Sequence, residues 1–226
     1  MDMNRDLPSR ALTIHHRLAE RYGERLQRSH PDPVEELVSA ILSQNTNDRN
    51  RDRAFECLRE RLPTWEAVRD APVGEVEEAI RPAGLSRIKA PRIQAVLHRI
   101  SEERGELSLH FLASLPLEEA RQWLTAMDGV GLKTAAIVLL FAFGRPAFPV
   151  DTHIHRVGKR LGLIPPATTR EKAHTLLEQL LPPEVYYPLH LNLIAHGRET
   201  CHPRRPACSR CLLLDLCPDG QSQEER

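Results

Sequence analysis

Two side chains in the second half of the chain could carry covalent chemistry together, the amine of Lys133 and the carboxylate of Asp151. The apolar run from Leu132 to Phe143 predicts a helix that places Lys133 in its first turn. Partial positive charge at a helix start disfavours an ammonium there, and a neutral, partly buried lysine is a nucleophile able to form a Schiff base. Asp151 also suits the N-cap of a following helix, a role that occupies one carboxylate oxygen and leaves the other for a substrate.

The residues directly before Lys133 are typical of an anion-binding turn. Gly129 and Gly131 flank one apolar residue, Val130, and glycines let backbone N–H groups approach a ligand closely. The helix start adds N–H donors that have no partner within the helix, and phosphate is the anion usually bound there. This stretch therefore predicts a phosphate contact beside the candidate nucleophile.

The five cysteines divide into one isolated residue and one group. Cys57 lies beside apolar neighbours, and we interpret it as a small core residue. The other four are separated by six, two and five residues: Cys201, Cys208, Cys211 and Cys217. Four thiolates in one short loop fit either zinc or an iron–sulfur cluster, and the chemistry of the thiolates alone leaves both open.

Two motifs together resemble the endonuclease III family of helix-hairpin-helix DNA glycosylases. They are Gly129-Val130-Gly131-x-Lys133-Thr134 and Val150-Asp151-Thr152-His153, and the resemblance extends from about Val34 to Cys217. It implies that Lys133 is the nucleophile, that Asp151 is the catalytic carboxylate, and that Gly129, Val130, Gly131 and Thr134 bind DNA. The cysteine spacing also matches the family and implies a [4Fe–4S] cluster. Asp128 departs from the pattern, because the family usually has proline there, and a carboxylate beside a phosphate is unfavourable.

The resemblance also implies contacts made by two other loops. The pattern Leu42-Ser43-Gln44-x-Thr46 is similar to the loop from which a glutamine fills the gap left by an extruded nucleotide, whereas the residues alone also fit a plain turn. Leu85 corresponds to an apolar wedge between bases, or else to a hydrophobic staple. Arg87 and Lys89 follow it, where they would either meet phosphates or be solvated.

Helical periodicity recurs along the chain without strand-like alternation, so we predict an all-α fold. Residues 10–29 are predicted to form an amphipathic helix whose apolar face contains Leu12, His15, Ala19, Tyr22 and Leu26. Asp32-Pro33 is predicted to begin another helix, and Ser86 to cap a third. By resemblance, a helical barrel with the hairpin spans residues 34–144, and a cluster domain combines 1–33 with 145–226. The resemblance further places the active site in a cleft between these two domains.

Composition sets weaker limits on function. The 226 residues include 31 basic and 31 acidic ones, and this balance argues weakly against a nucleic-acid partner. Basic residues nevertheless gather in two segments, 145–160 and 198–210, which could form a DNA-facing surface. No apolar run has membrane-spanning length and the start lacks a secretory signal, so we expect no membrane association and a cytoplasmic, nucleoid-associated location.

The expected function is that of a bifunctional glycosylase and AP lyase of base excision repair. The resemblance implies removal of oxidised pyrimidines from damaged double-stranded DNA, followed by strand nicking through a Schiff base on Lys133. We expect a monomer. Two alternatives stay open, a non-catalytic helix-hairpin-helix module with a structural metal and a lyase acting only on abasic sites.

Overall fold

The computed structural model describes residues 7–27 and 31–224, and over these residues it contains helices and no strand. The predicted all-α class is confirmed. Short 3₁₀ turns join some of the helices. The α-helices in chain order are α1 (Leu7–Tyr22), α2 (Pro33–Leu42), α3 (Asp48–Arg61), α4 (Trp65–Asp70), α5 (Val73–Ala79), α6 (Ser86–Arg104), α7 (Leu117–Thr125), α8 (Leu132–Ile137), α9 (Thr152–Arg160), α10 (Arg170–Leu180), α11 (Tyr186–Glu199) and α12 (Pro218–Glu224).

The contacts of the chain divide it into two compact units. The central unit is His30–Arg145, and the terminal unit combines Met1–Ser29 with Pro146–Arg226. The predicted domain boundaries at residues 34 and 144 lie close to this division. That each unit is a folding domain stays a prediction.

The central unit is built around α2. Asp32 Oδ1 accepts hydrogen bonds from the N–H groups of Val34 and Glu35, both at 3.0 Å, and Pro33 needs no partner for its nitrogen. The predicted start of this helix is therefore confirmed. Its apolar side chains are fully buried, and α2 packs against α3, α6 and α8. Because α2 is enclosed, the loop that follows it is held at a fixed place in the unit.

The terminal unit packs α1 and α9 against α11. At one point α9 and α11 approach so closely that a Cβ added at Gly197 would lie 2.9 Å from His153 Cβ, so only glycine fits there. Asn192 Nδ2, on α11, donates to the main-chain oxygen of Gly23 at 3.0 Å. The first helix of the chain thus forms part of the same unit as its last residues.

The first predicted helix was wrong in its extent and in its buried face. Helix α1 ends at Tyr22, because Gly23 takes a positive φ of 95° and turns the chain away. Leu26, predicted for the apolar face, lies beyond the helix and is 69% exposed. The buried face is rotated by about one residue and consists of Ala11, Ile14 and Leu18.

The described residues include no helix that combines the length and the apolar character needed to cross a bilayer.

Candidate active site

The hairpin of the central unit is formed by α7, a short turn and α8. Gly129 adopts a φ of +76°, a region that side-chain-bearing residues rarely occupy, and Gly131 is the N-cap of α8 with a φ of −85°. Val130 is only 3% exposed, and its N–H donates to Met127 O at 3.1 Å. Val130 therefore offers DNA neither an exposed side chain nor a free N–H group, because its side chain belongs to the core and its amide closes the turn.

The start of α8 presents Lys133 to the surface. Lys133 is exposed and not partly buried as predicted, whereas Thr134 beside it is 6% exposed. The side chain of Thr134 is therefore largely buried, whereas Lys133 is the accessible side chain at the start of α8. The N–H groups of the first turn have no partner within a helix, so they remain the groups of α8 suited to an anion.

The helix that carries Lys133 is not uniform. The predicted helix from Leu132 to Phe143 is α-helical to Ile137 and π-helical over Val138–Ala142. Arg145 N donates to Leu139 O at 2.9 Å, which closes this wider end of the segment. π-helical turns are rare and are frequently found at functional sites. This segment is therefore a second feature, besides the hairpin turn, that favours a functional role for the helix carrying Lys133.

Gln44 lies in the loop after α2 and reaches the hairpin turn. Its Nε2 donates to Gly129 O at 3.0 Å, and its Oε1 accepts from Arg92 Nη1 at 3.2 Å. The next residue, Asn45, has a positive φ of 54°, which raises the backbone energy of this loop. The structure therefore joins two predicted DNA-binding residues, Gln44 and Gly129, by a direct hydrogen bond. It adds Arg92 as a second partner of Gln44, a residue that sequence reasoning missed.

Leu85 projects outward from the start of α6. It is 50% exposed and takes a left-handed backbone conformation with a φ of +52°, which costs energy for a leucine. It occupies the N-cap position, so the prediction that Ser86 caps this helix is wrong. Ile88, one turn further, is 53% exposed and enlarges the apolar surface that the sequence assigned to Leu85 alone. Arg87, between them, is exposed as predicted for a phosphate contact.

Lys89 was predicted to meet a phosphate, and the structure contradicts this. Its side chain is 1% exposed, and its Nζ donates to Leu42 O at 2.7 Å and to Ala83 O at 3.0 Å. Burial lowers the pKa of Lys89 to about 8. Lys89 thus links the loops that carry Gln44 and Leu85, and its ammonium group is hydrogen-bonded to two main-chain carbonyls and does not face DNA.

Asp151 belongs to the terminal unit, where its position is fixed by main-chain contacts. Its Oδ1 accepts from Ile154 N at 2.8 Å, which confirms the predicted N-cap of α9. The segment before it is held by two buried histidines. His174 Nδ1 lies 2.9 Å from Phe148 O, and His190 Nδ1 lies 3.0 Å from Pro149 O. Neither histidine was singled out from the sequence, because each lies more than 20 residues from the segment it holds.

The four clustered cysteines line a single cavity in the terminal unit. His196 also contributes to the wall of this cavity. Burial raises the pKa of Cys211 and of Cys217, and repulsion from neighbouring cysteines raises both further. Among the described side chains, no three His, Cys, Asp or Glu are grouped as ligands of a single metal ion. The four thiols of Cys201, Cys208, Cys211 and Cys217 thus lie around one cavity without forming the ligand group of a single ion.

Arginines of α9 fix the loop that carries these cysteines. Arg156 donates through Nε to Cys201 O at 3.1 Å and through Nη2 to Gly197 O at 2.9 Å. Arg160 donates to His202 O at 2.6 Å, and Cys217 Sγ lies 3.3 Å from Arg160 O. The loop leaves other arginines exposed, namely Arg204, Arg205 and Arg210. The loop is thus bound to the helix that Asp151 begins.

Comparison with known proteins agrees with this fold. Residues 38–183 match the family described as HhH-GPD superfamily base excision DNA repair protein. The chain therefore belongs to the HhH-GPD superfamily of base excision DNA repair proteins.

Within this superfamily the chain is similar to endonuclease III proteins. It is 34% identical to endonuclease III of Thermotoga maritima over 202 residues, which cover 88% of this chain and 90% of that protein. It is 38% identical over 175 residues to an Arabidopsis thaliana protein named as a DNA glycosylase, covering 77% of this chain and 57% of the plant protein. A solved structure of a trapped endonuclease III–DNA covalent intermediate with an estranged adenine has a TM-score of 0.82 and 30% identity, covering 96% of this chain and 98% of that one.

Proposed function

We propose that the protein is a bifunctional DNA glycosylase and AP lyase that removes oxidised pyrimidines from double-stranded DNA. The observation that carries the proposal is the position of Lys133, exposed in the first turn of α8 directly after the hairpin turn. The hairpin turn can bind a phosphate of the DNA backbone. The amine of Lys133 beside it can then reach the sugar attached to that phosphate. The similarity to an endonuclease III trapped covalently on DNA supports the same conclusion.

DNA is held by groups of the central unit before any bond is broken. The amides around Gly131 and the first turn of α8 hold a backbone phosphate, and Arg87 adds charge. The damaged nucleotide is extruded, because its glycosidic carbon is unreachable within the stack. Leu85 and Ile88 enter between bases as apolar wedges, and Gln44 meets the base left without a partner.

The chemistry uses one amine and one carboxylate. Lys133 Nζ attacks C1′ of the sugar, so that an N–C1′ bond forms while the C1′–base bond breaks. The base leaves with the bonding electrons and takes up a proton from water. Asp151 stabilises the cationic sugar and accepts the proton lost by the amine, while its other oxygen caps α9. The proton held by Asp151 then passes to O4′ as the C1′–O4′ bond breaks, and the ring opens to an iminium between Lys133 and C1′. Loss of a C2′ proton from this iminium expels the 3′ phosphate, and water hydrolyses the imine that remains.

The cysteine loop fits a [4Fe–4S] cluster in this proposal. Each of the four thiolates binds a different iron atom of such a cluster, so thiols spread around one cavity suit it better than a single ion. Cys201, Cys208, Cys211 and Cys217 would hold it. When bound, the cluster supplies cross-links that fix a loop too short for a core of its own. The exposed arginines of that loop are then presented to DNA.

The test is borohydride trapping on duplex DNA that contains either an oxidised pyrimidine or an abasic site. Wild-type protein and Lys172→Gln, which alters an exposed lysine of α10, are expected to form the adduct. Lys133→Gln is expected to form none, because an amide nitrogen cannot give the imine that borohydride reduces. An adduct in Lys133→Gln at the wild-type yield would remove Lys133 from its role.

A lyase restricted to abasic sites is the second candidate, and the exposed Asp128 favours it. A carboxylate in the hairpin turn weakens the hold on phosphate, which matters most when binding energy must extrude an intact nucleotide. Turnover on abasic DNA without base release from damaged DNA would establish this restricted activity.

A further inference from the structure

The side chain of Gln44 is held by two partners whose chemistry fixes the orientation of its amide. Arg92 Nη1 donates to Oε1 at 3.2 Å, and Nε2 donates to Gly129 O at 3.0 Å. A guanidinium can only donate and a carbonyl can only accept, so the flipped amide would lose both hydrogen bonds. The direction of each polar end of Gln44 is therefore determined.

Arg92 is itself fixed by its packing on the hairpin turn. Its side chain lies so close to the Gly129 α-carbon that a Cβ there would overlap Arg92 Nε, Cδ and Cζ. Its Nε is buried without a hydrogen-bond partner, an arrangement that costs stability. The contact with Gln44 is kept although this donor stays unpaired, which points to a role other than stabilising the fold.

These contacts join three elements of the central unit. Gln44 follows α2, Arg92 lies on α6, and Gly129 lies in the hairpin turn. The loop after α2 and the hairpin are the parts proposed to meet the orphaned base and the phosphate, and α6 begins next to the wedge at Leu85. Arg92 therefore lies where α6 and the hairpin turn can together set the orientation of the Gln44 side chain.

We propose that Arg92 is a positioning residue that sets how the amide of Gln44 meets the base opposite the extruded nucleotide. The proposal rests on the proposed function only in placing Gln44 within the duplex. With both contacts kept, Gln44 retains one N–H and one lone pair in fixed directions. Because the four bases differ in their order of donors and acceptors, a fixed amide distinguishes among them, whereas a freely rotating amide does so less.

The experiment measures the Kd for duplexes that carry a tetrahydrofuran analogue of an abasic nucleotide opposite each of the four bases. The spread is the ratio of the weakest to the tightest of the four Kd values. For wild-type protein this ratio is expected to exceed one. Arg92→Met should narrow the spread by up to about fivefold, the equivalent of one hydrogen bond. In the Gln44→Ala background, Arg92→Met should change the spread no further, because it acts through Gln44.

Two further variants separate positioning from folding. Arg99→Met removes another arginine of α6, whose Nη1 donates to Ala126 O at 2.5 Å, and it should lower stability without changing the spread. Arg92→Lys keeps a donor but loses the planar fork, so an intermediate spread is expected. If circular dichroism shows that Arg92→Met does not fold, the test rests on Arg92→Lys. A Kd spread for Arg92→Lys equal to that of wild type then overturns the proposal.

Three other results would also overturn it. Arg92→Met could weaken all four complexes equally, it could narrow the spread as much in the Gln44→Ala background as in wild type, or Gln44→Ala could leave the spread unchanged. Failure of the proposed catalytic function looks different, because it abolishes borohydride adducts and leaves the binding measurement intact.

Discussion

The two glycines of the hairpin turn should respond very differently to a single added methyl group. Gly129→Ala forces alanine into a φ of +76°, which costs about 1–2 kcal/mol. The new Cβ would also overlap Arg92, and displacing that side chain costs about 1–3 kcal/mol by overpacking and loss of its bond to Gln44. We expect Gly129→Ala to lower the free energy of unfolding by about 2–5 kcal/mol, the sum of these two costs.

Gly131→Ala is the matched control in the same turn. Gly131 has a φ of −85°, and a Cβ there meets no atom within 4 Å. The loss of a glycine N-cap and the gain in unfolded-state rigidity nearly cancel, so stability should change by no more than about 0.5 kcal/mol. Its methyl group would instead enter the space proposed for a DNA phosphate, so DNA binding should weaken while the fold is kept.

The assay is urea unfolding of both variants and of Gly129→Ala combined with Arg92→Ala. The double variant removes the overlap and leaves the backbone cost, so it should recover part of the loss relative to Gly129→Ala. Equal unfolding midpoints for Gly129→Ala and Gly131→Ala would refute the reasoning. The reasoning would also be refuted if the loss in free energy of unfolding of the double variant equalled the sum of the losses caused by Gly129→Ala and Arg92→Ala alone.

Three further predictions test other parts of the central unit. Lys89→Met leaves two main-chain carbonyls unpaired but no longer buries a charge, so urea unfolding should show a net loss of about 1–3 kcal/mol, and no loss would mean that the tether is unimportant. Burial raises the pKa of Glu36 from 4.5 to about 7, so its contribution to stability is complete below pH 4.5 and is lost as pH rises through about 7. Wild type should therefore become less stable than Glu36→Gln over that range, by about 1–3 kcal/mol at pH 8, and parallel stability curves would contradict this. Asp128→Asn should tighten duplex binding about two- to fivefold at low salt, with the gain lost at high salt, and a gain that persists at high salt would exclude a Coulombic cause.

The sequence by itself determined those features that depend on neighbouring residues. Asp32 and Asp151 were predicted as N-caps, and each accepts from an N–H three residues ahead. A cap needs only its own helix start, so no distant contact has to be known. The all-α class follows in the same way from helical periodicity along the chain. The roles of Lys133 and the cysteines came instead from the resemblance, and their assignments stay predictions.

Only the tertiary structure decided which polar side chains remain available for a ligand. Lys89, Val130 and Thr134 lie within motifs predicted to bind DNA, yet packing turns their side chains inward. Arg92 meets Gln44 across 48 residues of sequence, and no periodicity or spacing indicates that pairing. The physical reason is that burial and hydrogen-bond partners are set by segments folded together from distant parts of the chain, whereas a sequence motif records only the local backbone.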